Sequence, residues 1–154
     1  ADTIAALHSC QDKVYATLAI VNVRGSTISR EADHVMYINA GPEIGVASTK
    51  AFIGQLISLY LLAIFLGKTK NKLSEWDEKE IITEISRIPQ KIETILNQND
   101  KIETIAYQFS KYQHFLYLGR DVNFPIALEG ALKLKEISYI QNLICYIKKE
   151  ISYI

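Results

Sequence analysis

The chain has 154 residues, about one domain's worth of sequence. Its 17 basic residues balance 17 acidic ones, so composition gives no support to a nucleic-acid or anionic-membrane partner, which needs a concentrated basic face. Only Cys10 and Cys145 carry thiols. That excludes a disulfide framework and fits reduced thiols in a cytoplasmic protein, with no metal or cofactor expected.

Asp2 or Thr3 can cap a first helix carrying Ile4, Leu7 and Val14. The opening segment is polar-interrupted and lacks a basic n-region, so no secretory signal is expected there. Thr17–Val23 (TLAIVNV) and His34–Ile38 (HVMYI) read as short buried strands separated by a turn near Gly25–Ser29. Asn39-Ala40-Gly41-Pro42 ends the second of them. Glu43–Lys50 follows as a loop.

Ala51–Gly67 (AFIGQLISLYLLAIFLG) is almost wholly apolar. It sits at the lower edge of the roughly 20 residues needed for a membrane span. A helix that is hydrophobic all round also fits burial between a sheet and other helices. The flanking strand-and-helix pattern favours the buried reading, and no membrane partner is expected.

Ser74 followed by Asp77 has the form of a capping box, with an amphipathic helix continuing through Glu78–Arg87. Pro89 starts or kinks a further helix because it has no amide to give the preceding turn. Asn97–Asp100 breaks the pattern, and Lys101–Tyr112 is helical by period. KIETI occurs at Lys91–Ile95 and again at Lys101–Ile105, which is too few copies for a solenoid. His114–Gly119 (HFLYLG) reads as a third strand, and Pro125 stands at the first position of a helix over Ile126–Ile140. The order is α/β with parallel strands.

Two stretches carry chemistry. In Glu43–Phe52 (EIGVASTKAF), free amides and small hydroxyls at a helix start suit a phosphate or a sugar hydroxyl, although Ser48 or Thr49 also fits a plain N-cap. In Ala127–Ile140 (ALEGALKLKEISYI), Glu129, Lys133 and Glu136 fall on one helix face at i,i+4 and i,i+3 spacing. That pattern is either a solvated salt-bridge face or a carboxylate beside an ammonium, suited to moving a proton next to a carbonyl.

Together with Ala1-Asp2-Thr3, Asn39-Ala40-Gly41, Leu118-Gly119-Arg120 and Pro125–Ile140, these stretches resemble the sugar-isomerase (SIS) module of glutamine–fructose-6-phosphate aminotransferase, in that family's own order. The resemblance runs through about Ile140. It implies incomplete doubly wound parallel sheets of the SIS type, joined by a helical segment. The expected domains are 1–72 as the end of a first SIS unit, 73–112 as connecting helices, 113–140 as the start of a second unit and 141–154 as an atypical tail. Val46 and Ser48 match positions that contact the sugar. Glu136 matches the carboxylate that shuttles a proton between the first two sugar carbons, and Lys133 matches a lysine of the same site. Glu129 matches a position with no assigned catalytic role. Fructose-6-phosphate or glucosamine-6-phosphate would be the ligand.

Departures from the family pattern are equally informative. Its Ser-x-Ser-Gly-Glu-Thr phosphate loop, ring-opening histidine, imine-forming lysine and glutaminase domain have no counterpart in these residues. Gln141–Ile154 ends instead in a second KEISYI, which makes Glu150 a duplicate rather than another catalytic acid. Asp121 stands where a small residue is expected, so a disturbed strand-to-helix turn is anticipated. Catalysis needs its groups placed together around one substrate. The expectation is therefore a retained fold with little or no activity, and no fructose-6-phosphate uptake by these residues alone. Alternatives are a homodimer or another SIS chain completing the fold, or a non-catalytic sugar-phosphate sensor.

Overall fold

A computed structural model describes residues 2–138 and 141–146, the last six as backbone. They divide into two compact units. One comprises residues 2–44 and 48–87; the other comprises 45–47 and the described residues from 88 onward. Both are α/β, and each holds a two-stranded parallel sheet.

The first unit runs α1 (Asp2–Gln11), β1 (Leu18–Val21), α2 (Thr27–Glu31), β2 (His34–Tyr37), α3 (Lys50–Thr69) and α4 (Glu75–Ser86). The two β-rich runs pair parallel, Leu18 opposite His34 through Val21 opposite Tyr37. Parallel pairing requires a crossover, and the segment read as a turn supplies one. It contains α2, whose N-cap Ser26 accepts from the Ser29 amide at 3.3 Å.

Polar clasps hold both ends of this sheet. Asp33 Oδ2 accepts from the Thr17 amide at 2.8 Å and the Thr17 hydroxyl at 2.7 Å. Those bonds from Thr17 hold the Asp33 carboxyl below its ordinary pKa. At the other end Asn22 accepts from the Ala40 amide at 2.9 Å and donates to the Gly41 carbonyl at 2.6 Å. Asn39 and Gly41 adopt left-handed φ of 52° and 70°, so the chain turns sharply after β2.

α3 corrects the buried-helix expectation. By length and composition it could cross a membrane, yet only 17% of its apolar window is buried. Ala51, Ser58 and Ile64 are its buried residues, whereas Tyr60 and Phe65 are 59% and 64% exposed. One stripe of the helix meets the first unit: a Cβ on Gly54 would lie 3.2 Å from Ile38 Cβ. A two-stranded sheet is too narrow to cover more than that stripe. The capping box forms as its spacing predicts, with Ser74 Oγ accepting from the Asp77 amide at 3.1 Å. Lys68 joins α3 to α4 by reaching both carboxylate oxygens of Glu78, at 2.9 and 2.8 Å.

The second unit runs α5 (Ile88–Leu96), α6 (Asn99–Phe109), β3 (His114–Gly119), a 3-10 turn at Asp121–Asn123, α7 (Phe124–Ser138) and β4 (Gln141–Tyr146). β4 pairs parallel with β3, from His114–Gln141 to Gly119–Tyr146, and α7 is the crossover between them. This strand lies in the segment that sequence alone left without an element. The repeated KEISYI and Glu150 lie outside the described residues.

α7 lies very close to β3. A Cβ on Gly119 would come 2.6 Å from Asn123 O and 2.6 Å from Phe124 Cα, and one on Gly130 would come 3.0 Å from the Tyr117 ring. Ala127 and Ala131 complete the contact stripe and are buried. The turn joining the two elements forms with Asp121 at φ 50°, so Asp121 occupies it rather than abolishing it. The small residue anticipated here has a physical reason, because glycine adopts a left-handed φ without Cβ strain.

Two substitutions test this junction by urea denaturation. Gly119→Ala should destabilise by about 1–3 kcal/mol through overpacking. Asp121→Gly should stabilise by about 0.5–1 kcal/mol by relieving left-handed strain. Equal midpoints for all three proteins would refute the close approach.

Candidate functional site

The residues expected to carry chemistry occupy two places, one at the start of α3 and one on α7. At the first, the anticipated free amides are already bonded. Glu43 Oε1 accepts from the Thr49 amide at 2.8 Å and the Ala51 amide at 3.1 Å. Thr49 is the N-cap by position, but its side chain makes no capping bond. A carboxylate suits that place because the first amides of a helix carry partial positive charge. The Thr49 and Ala51 amides, then the Ser48 hydroxyl and the Lys50 charge, hold the Glu43 carboxyl below its ordinary value of 4.5.

Val46 is 93% exposed and Ser48 is half-buried. Spacing did not reveal Glu43, which lies six residues before Thr49 rather than at an N-cap position. Its only signal was an acid opening the same quoted motif.

At the second place the spacing is realised as geometry. Lys133 Nζ lies 3.0 Å from Glu129 Oε1 and 3.0 Å from Glu136 Oε2. The three side chains are 23%, 25% and 30% exposed for Lys133, Glu129 and Glu136, so this is not a fully solvated face. At about 100° per residue, the clasp points away from the Ala127, Gly130 and Ala131 stripe that meets β3. Leu128 and Leu132 flank it on one side and Ile126 and Ile137 on the other, all 40–70% exposed.

Bonds from Glu136 first and Glu129 second raise the Lys133 pKa above 10.5. An imine-forming lysine needs the opposite shift, towards a free amine. Lys133 is therefore a cation held between two carboxylates. Among the described residues, no group of three or more His, Cys, Asp or Glu could hold a metal ion.

The SIS domain family matches residues 1–65. Glutamine–fructose-6-phosphate aminotransferase (isomerizing) of Methanosarcina mazei is 53% identical over 140 residues, 91% of this chain. This is an SIS-domain chain related to that aminotransferase. The enzyme of the same name from Chlorobaculum tepidum is 51% identical over an equal span. The chain covers 23% of the length of each of these two relatives.

Among solved structures, the C-terminal domain of glucosamine-fructose-6-phosphate aminotransferase from Francisella tularensis superposes with a TM-score of 0.90 at 38% identity. That match covers 94% of this chain and 41% of the other. A chain from Clostridium difficile 630 gives 0.82 at 22% identity, covering 92% and 40%, and shows the fold alone. The SIS-type α/β architecture anticipated from the motifs is therefore established.

The clasp has a pH signature. A raised lysine pKa contributes stability below the unfolded value and loses it as pH rises through the folded value, so the clasp should persist past pH 10.5. NMR titration of the Lys133 side chain should show a downward shift in Glu136→Gln and a smaller one in Glu129→Gln. Unchanged titration in both variants would dissolve the clasp.

Proposed function

We propose that this chain is a sugar-phosphate-binding SIS domain of the isomerizing aminotransferase type, working in the cytoplasm, which does not catalyse by itself. Fructose-6-phosphate or glucosamine-6-phosphate is the ligand. Val46 and Ser48 contact the sugar. Glu136 is the carboxylate suited to moving a proton between adjacent sugar carbons, and Lys133 holds it in place while neutralising charge.

The clasp carries this reading. Three titratable groups sit within 3.0 Å contacts on a helix braced by β3, and one of them, Glu136, matches the family's proton-shuttling carboxylate. A preformed arrangement spares a ligand part of the ordering entropy, which supports weak binding where sequence alone anticipated none. Turnover needs every participating group placed together around one substrate, so binding is a separate and less demanding property than catalysis.

A second reading, pairing with another SIS chain or a second copy, is favoured by the exposed apolar face of α3 and by the leucines and isoleucines beside the clasp. Sedimentation as a strict monomer at high concentration would count against it.

Calorimetric titration of the purified chain with fructose-6-phosphate should give saturable binding with Kd of about a millimolar, weakened about tenfold in Ser48→Ala. Glucose-6-phosphate should not form. Its formation would overturn the separation of binding from catalysis, and the absence of heat from a folded sample would overturn the binding itself.

A further inference from the structure

We propose that Glu43 is a positioning residue that holds the sugar-contacting loop in its binding shape, an inference that rests on the sugar-phosphate-binding reading above. The loop joining β2 to α3 contains Ile44, Val46 and Ser48. Ile44 and Val46 are 98% and 93% exposed, and within their segment Ala47 is the buried apolar residue, so apolar burial there rests on a single methyl group. One buried methyl offsets little of the conformational entropy lost in ordering such a loop, and polar restraints add to it.

Two restraints bracket it. Asn22 bonds the Ala40 amide and the Gly41 carbonyl at the loop's entry. Glu43 closes the exit by receiving both the Thr49 and the Ala51 amides on one carboxylate oxygen. This bridge does the work that Thr49, with no side-chain capping bond, leaves undone at the start of α3. Its ionised oxygen makes charge-assisted bonds, stronger than neutral ones. Ser48 immediately precedes the first bonded amide, and its hydroxyl adds a further interaction with the same carboxylate. Removing the carboxylate therefore releases Ser48 from the direction the helix start imposes on it.

Glu43 also satisfies amides at the helix start. The positive end of α3 is met by the chain's own carboxylate, which fits Ser48 to a sugar hydroxyl better than to a phosphate.

The test compares wild type, Glu43→Gln and Glu43→Ala by amide hydrogen exchange and fructose-6-phosphate calorimetry, well below each protein's denaturation midpoint. In Glu43→Ala the Thr49 and Ala51 amides should exchange at least tenfold faster, and sugar affinity should fall about tenfold with far-ultraviolet dichroism unchanged. Glu43→Gln keeps an oxygen acceptor without the charge and should recover part of both. A purely structural cap would lower the midpoint and leave the affinity of the folded protein unaltered, which overturns the positioning role. Equal amide exchange in wild type and Glu43→Ala overturns the bridge itself. Absence of sugar binding in wild type, with the bridge intact by exchange, overturns the functional reading and the positioning role together. Failure of Glu43's role alone appears as a wild type that binds and variants that bind equally well.

Discussion

The contact between α7 and β3 is the constraint on which the second unit depends. Helix and strand come together through residues with almost no side chain: Gly119, Ala127, Gly130 and Ala131 leave room for backbone and for the Tyr117 ring. Close approach of this kind maximises dispersion contacts while ordering few side-chain rotamers. It also sets the rotation of the helix. With the small residues against the strand, periodicity carries Glu129, Lys133 and Glu136 to the other side, where they meet one another and remain partly accessible.

The first unit uses a different strategy. Its sheet is short, and its buried apolar residues are Ala19, Ala51 and Ile64 among those described. Side-chain bonds to backbone do much of the organising: Thr17 with Asp33 at one end of the strands, Asn22 at the other, and Glu43 at the start of α3. Each meets backbone groups that loops leave unpaired, which is the general condition for ordering irregular chain. The exposed side of α3 shows how little apolar surface a two-stranded sheet can cover. The chain spans less than half of the solved aminotransferase domain it superposes on.

Electrostatics divides the candidate residues by task. Lys133 is held charged by two carboxylates, which removes it from amine chemistry and leaves it as a fixed counterion. Glu43 is held ionised by backbone amides, which makes it a structural anion rather than an acid or base. Glu136 combines contact with a cation and partial exposure beside exposed apolar side chains.

Sequence by itself determined the α/β class, the three strands it named, the Ser74 cap and the shared face of Glu129, Lys133 and Glu136. Each of these follows from local periodicity or from the chemistry of one or two neighbouring residues. It also pointed to the SIS relationship, because EIGVASTKAF and ALEGALKLKEISYI are long and specific. Tertiary structure decided what depends on residues distant along the chain. Gln141–Tyr146 becomes a strand because α7 returns it alongside β3, and its own sequence has no clear alternation to announce that. α3 remains largely exposed among the described residues because they cover little of its surface, a fact invisible in its uniform hydrophobicity. Glu43 becomes the cap of a helix six residues away because the loop folds back on itself, and capping rules read only the positions adjoining a helix.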